Sequence, residues 1–133
     1  MSATQVFDND HATIWYHPEA GIVHHEFKKY IFGQDFRDVL NFGLEIMAER
    51  HATKWLSDDR HNSALLPEDA DWADNDWSPR VHAVGWTYWA IVLPEGVIGK
   101  MNMQKFIEQQ SASGIEVRVF ADPSLALAWL ESV

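Results

Sequence analysis

An α/β domain built on a mixed sheet is what this sequence predicts, and three observations predict it. Short β-branched and aromatic runs at the start are separated by turn residues, as in antiparallel strands. From Gly33 onward, segments with the three-and-four spacing of helices alternate with brief apolar strands, as in parallel crossovers. The chain's 133 residues suit one core, large enough to bury about two thirds of the unfolded surface without a metal or disulfide. The expectation is one domain over residues 1–133. Its sheet has antiparallel N-terminal strands and parallel crossovers, with about four helices packed largely on one side.

Val6-Phe7, Ala12 to His17 and Ile22 to Phe27 are the opening strands, divided by Asp8-Asn9-Asp10 and by Pro18-Glu19-Ala20-Gly21. A turn at Pro18 to Gly21 sets His17 near Ile22, Trp15 near His24 and Ile14 near His25. Alternation then places Trp15, His17, His24 and Glu26 on one face, with Ile14, Tyr16, Val23, His25 and Phe27 on the other. Phe36, Val39, Leu40, Gly43, Leu44 and Met47 mark an amphipathic helix, with Asp35 as its expected cap and an end near Arg50 or His51. Thr53 to Leu56 reads as a buried strand. An acidic loop follows, then a helix from Ser78 to Val84 with Pro79 in its first turn. Trp86 to Leu93 is a strong strand closed by Pro94-Glu95-Gly96, and Met103, Phe106, Ile107 and Gln110 mark a helix stopped at Gly114. Glu116 to Phe120 is the last strand. Asp122-Pro123 starts a final helix that docks through Leu125, Leu127, Ala128 and Trp129.

Composition removes several functions. Cysteine is absent, which excludes a disulfide framework, a thiolate zinc site and a cysteine nucleophile. The longest apolar runs, such as Ala90 to Leu93, fall far short of the roughly 20 residues a membrane span needs. The first ten residues carry neither a basic region nor an apolar one, so a cytoplasmic location is expected. A formal net charge of −10 repels phosphate backbones, and nucleic acid is not an expected partner.

Half of that charge lies in residues 55–80, where seven acidic residues face only Arg60 and Arg80. Asp58, Asp59, Arg60 and His61 stand where a strand ends, a common place for binding and catalytic groups in α/β domains. A carboxylate beside an imidazole is the raw material of acid and base catalysis, so a small hydrolase or isomerase using Asp58 or Asp59 with His61 is one reading. The plainer reading pairs Asp58 or Asp59 with Arg60 or Arg80. No nucleophile elbow, phosphate-binding glycine loop or dinucleotide motif accompanies them. Trp72 and Trp77 either anchor the acidic loop to the core or, with Trp86, wall a mouth for an apolar ligand. The expected ligand or partner surface is the loop from Asp58 to Arg80 with Trp86, and Asp58, Asp59, Arg60, His61 and Arg80 are its polar residues. No metal is expected. Adjacent His24 and His25 point to opposite faces, and the one conceivable set, His17, His24 and Glu26, depends on strand register.

The order of elements resembles the STAS-like fold of bacterial anti-sigma-factor antagonists and related lipid-binding domains. Three stretches carry it: Lys54-Trp55-Leu56 running into Asp58-Asp59-Arg60, the strand from Tyr88 to Leu93 ending at Pro94, and the closing segment from Val119 to Leu130. The resemblance implies a non-enzymatic binding or regulatory domain without a cofactor, acting on an unknown protein or a small apolar ligand. In those antagonists a short Asp-x-Ser motif after a central strand presents a serine to a partner kinase. Here that place reads Ser57-Asp58-Asp59-Arg60-His61-Asn62-Ser63, so Ser57 and Ser63 are the candidate phosphorylation sites, in a pattern that departs from the motif. A homodimer stays open, since two-fold dimers are the commonest soluble assembly.

Overall fold

Six strands form one sheet in their sequence order, β1 to β6. The computed structural model describes residues 3–133. β1 (Thr4–Asp8), β2 (Ala12–His17) and β3 (Ile22–Phe27) are antiparallel, and the β2–β3 hairpin has the expected register: His17 faces Ile22, Trp15 faces His24 and Ile14 faces His25. β4 (Lys54–Asp58), β5 (Tyr88–Val92) and β6 (Glu116–Phe120) continue in parallel.

Three crossovers connect the parallel strands. The first is α1 (Gly33–Arg50). The second joins α2 (Pro67–Trp72), a π-helical turn (Ala73–Trp77) and α3 (Ser78–Ala83). The third is α4 (Val97–Ala112). Crossovers between parallel strands are right-handed, so a strand order that only advances puts all three on one face. α5 (Pro123–Ser132) comes back over the other face, where Ala126, Trp129 and Leu130 pack on Ile22, Leu56, Ala90 and Val92. Three of the four helical blocks therefore share a side. Because the order never reverses, the sheet has no topological switch point, the feature that would have opened a crevice at the strand ends.

Three local expectations are corrected. The acidic segment is a loop only as far as Leu66, after which Pro67 to Ala83 is helix without a break. Pro79 explains the π-turn inside it. Proline has no N–H for the carbonyl four residues back, and its ring collides with that carbonyl. Widening the turn relieves the collision, and the N–H of Ser78 bonds Ala73, five residues back. Asp35 lies in the first turn of α1 but does not cap it. Phe32 occupies the cap position, and Asp69 from α2 accepts the Gly33 N–H at 2.9 Å. α4 begins at Val97, earlier than its apolar stripe indicated, leaving Val97, Ile98 and Met101 exposed.

The helix-covered face holds the larger core, centred on Trp55. Its indole lies against Gly43 of α1 so closely that a Cβ there would collide with the ring. Glycine is required at that point for α1 to reach the sheet.

Candidate functional site

Alternation along β3 and β4 decides which polar groups meet. His25 and Phe27 of β3 and Trp55 and Ser57 of β4 point under the helices, while His24, Glu26, Leu56 and Asp58 point the other way. Asp59 continues β4 by one residue, donating its N–H to Val92, and so returns to the helix side. Asp58 and Asp59 thus lie on opposite faces. The expected cluster of Asp58, Asp59, Arg60 and His61 is divided by the sheet.

On the helix side, His25 Nε2 and Asp59 Oδ1 are 2.8 Å apart with both side chains buried. Trp55 Nε1 donates to His25 Nδ1 at 2.9 Å. An indole N–H only donates, so Nδ1 is an acceptor, and the ring proton sits on Nε2, aimed at Asp59. Trp89 Nε1 donates to Ser57 Oγ at 2.8 Å. Asn62 Oδ1 accepts the Ile31 N–H at 3.2 Å.

These groups border an interior cavity of about 40 Å³. A single water needs about 10–15 Å³, so it admits a few heavy atoms. Phe27 and Trp55 form its sheet wall with His25, Ser57 and Asp59. Phe36 and Leu40 of α1, Ala73 and Trp77 of the π-turn, and Met103 and Phe106 of α4 form the rest, with Leu65, Trp86 and Trp89 closing the sides. Four indoles run edge to face around it: Trp55 to Trp77 at 5.4 Å, Trp77 to Trp86 at 5.6 Å and Trp86 to Trp89 at 5.5 Å. Trp77 Nε1 donates to Leu40 and Trp86 Nε1 to Tyr88, so every indole N–H of the four is satisfied. A second cleft, about 50 Å³, lies between Asp71 and Asp74 on one side and Asn102, Lys105 and Gln109 on the other. Leu65 and Phe106 line both spaces and stand between them.

The remaining candidates sit elsewhere. Asp58 holds Arg60 through two hydrogen bonds of 2.9 Å on the opposite face, the plain pairing read from the sequence. His61 is exposed and 3.6 Å from Glu95, so the imidazole beside Asp59 is His25 and not His61. That corrects the acid–base pair assigned to the hydrolase reading. Arg80 pairs with Asp76 and Asn41, not with Asp58 or Asp59. Trp72 is an anchor, edge-on to Phe36 with the Arg37 and Arg80 guanidiniums over its ring. Ser57 is buried in the cavity wall, where a kinase would reach it only by lifting the helices, and Ser63 is exposed.

The sheet's second face carries a histidine pair. His17 Nε2 and His24 Nδ1 are 3.1 Å apart with stacked rings, and Trp15 packs on His24. Among the described residues no three His, Asp or Glu side chains converge as metal ligands. Burial pushes His24 down to about 3, the neighbouring His17 and His25 push the same way, and Asp58 opposes them. Burial also lowers His17 against the pull of Glu131. The linkage has a definite sign. Between about pH 6.5 and pH 3 the unfolded chain takes up a proton at His24 that the folded chain refuses, so stability falls as pH falls through that window. One such proton is worth up to about 1.4 kcal/mol per pH unit. Urea midpoints between pH 7.5 and 4.5 should show this loss, and His24→Asn should flatten it. Asp8 and Asp122, lowered from 3.8, contribute only at the acid end. An equal slope in His24→Asn would remove His24 as its source.

No protein-family model, curated protein or solved structure matches the chain. Among the described residues no helix is long and apolar enough to cross a membrane.

Proposed function

We propose that this chain is a STAS-like binding domain that takes a small ligand into the cavity between its sheet and helices. One observation carries the reading: an aromatic-walled cavity in which the buried polar side chains His25, Ser57 and Asp59 converge at one end. An apolar pocket with a few placed polar groups is the usual form of a ligand site. The π-turn supports it further, since such turns recur at functional sites and this one supplies Ala73 and Trp77 to the wall. Binding fits the geometry better than catalysis. Both nitrogens of His25 are engaged, one by Asp59 and one by Trp55, which leaves the imidazole no free nitrogen with which to move a substrate proton.

Ala73→Leu tests the reading by adding side-chain volume where Ala73 borders the cavity. Native mass spectrometry of protein purified from its own cells should show a bound small molecule on the wild type and none on the variant. Thermal unfolding should show the variant folded. Equal occupancy of both proteins would place the ligand elsewhere.

A protein partner is the second reading, favoured by the exposed apolar side chains of Val97, Ile98 and Met101 at the start of α4. Sedimentation of the purified chain as a monomer would dispose of its homodimeric form.

A further inference from the structure

Asp59 is a buried carboxylate without a cationic partner. Its side chain is 6% exposed, and among the described residues no lysine or arginine nitrogen lies within 4.0 Å of it. His25 does not supply the missing charge. An imidazolium carries N–H on both nitrogens, and Trp55 already directs its own N–H at Nδ1. The ring that fits this arrangement is neutral, a dipolar donor to Asp59 and no counter-ion. Buried charges are otherwise paired, because desolvating an isolated carboxylate is strongly unfavourable.

What surrounds Asp59 narrows the counter-ion further. Indole faces attract ammonium groups through the negative face of the ring, most strongly where water is excluded. Trp55, Trp77, Trp86 and Trp89 surround the space next to Asp59. The cleft beyond Leu65 and Phe106 presents Asp71 and Asp74 against the single ammonium of Lys105, so the outer approach also carries more negative than positive charge. An anionic ligand would find no cation inside, and a purely apolar one would leave Asp59 uncompensated.

We infer that the ligand of this cavity carries a small ammonium group, set against Asp59 and walled by tryptophan rings, and reached from the cleft between α2 and α4. The inference rests on the cavity reading above and specifies its chemistry. With about 40 Å³ available, the head group inside has only a few heavy atoms, and any longer part extends past Leu65 and Phe106.

Three compounds of one shape separate the alternatives: n-propylammonium, 1-propanol and propionate, each titrated at constant pH and ionic strength while indole N–H resonances are followed by NMR. n-Propylammonium should shift Trp55 and Trp89 saturably, with a Kd about tenfold or more below that of 1-propanol. Trp129, on the other face, should stay fixed. Asp59→Asn keeps an oxygen for His25 and should erase the preference. If that variant does not fold, the wild-type ranking decides alone. Equal or stronger binding of 1-propanol or propionate overturns the ammonium inference and leaves the cavity reading standing. No shift with any of the three overturns both.

Discussion

His25→Leu should destabilise the domain by about 3–5 kcal/mol, because each buried polar group left without its partner costs about 1–3 kcal/mol and a charged one more. The substitution leaves Asp59 with no hydrogen-bond donor in an apolar wall and strands the Trp55 indole N–H as well. Against a total stability of about 5–15 kcal/mol, that brings the chain close to unfolding at room temperature. Removing the carboxylate too should reverse much of the loss. The double variant His25→Leu/Asp59→Leu retires both polar groups together, and replacing both partners of a buried hydrogen bond by apolar side chains can be nearly neutral. Urea unfolding of the two single variants and the double variant gives the coupling directly. Additive losses, with the double variant the least stable of the three, would mean that His25 and Asp59 do not act as a pair.

Trp55→Ala should cost about 3–5 kcal/mol by a different route. Trp55 is almost fully buried, fits against the bare backbone of Gly43, meets Trp77 edge to face and holds His25 in its tautomer. Deleting the ring joins its volume to the existing cavity, and the helices close over such a gap only in part. Trp55→Phe separates packing from hydrogen bonding. It keeps a ring under Gly43 but offers His25 no donor, so it should cost about 1–3 kcal/mol, chiefly the unsatisfied nitrogen. A Trp55→Ala loss under about 1 kcal/mol, read from urea or thermal unfolding, would contradict the packing described for the larger core.

The hairpin was legible in the sequence because its signal is local. Pro18 to Gly21 fix a turn, and strict alternation on each side fixes register, so Trp15 and His24 could be paired on sight. Of the helix over 67–83, only the part from Ser78 is legible, and the part before it is hidden for a physical reason. Its inward positions, Asp69, Ala73, Trp77 and Val81, keep a spacing of four, but the first is a carboxylate that serves α1 through Gly33 and Arg37. Pro79 reads as the first turn of a separate helix, although it lies inside a longer one and is accommodated there by the π-turn. The division of the site was hidden by topology. Parallel pairing of Glu26 with Asp58 puts Asp59 over His25, a contact across 34 positions that no local pattern encodes. One clue was available. A histidine alternating with Val23 and Phe27 on a core face needs a buried partner, and Asp59 stood at the end of the next strand.

The same placement separates the polar groups of the two faces. Asp58, Arg60, Glu26 and the His17–His24 pair form a polar group on the α5 side, while His25, Asp59 and four tryptophans border the space under α1, the π-turn and α4. Substitutions at Arg60 or His61 should therefore leave cavity binding unchanged.

A crystal structure of protein purified from its native host would show whether the domain holds a ligand beside Asp59. A compact molecule should lie against the Asp59 carboxylate, between Trp77 and Trp89, with Leu65 and Phe106 at its exit. A ligand on the α5 face next to His17 and His24, with protein side chains filling the space beside Asp59, would contradict it.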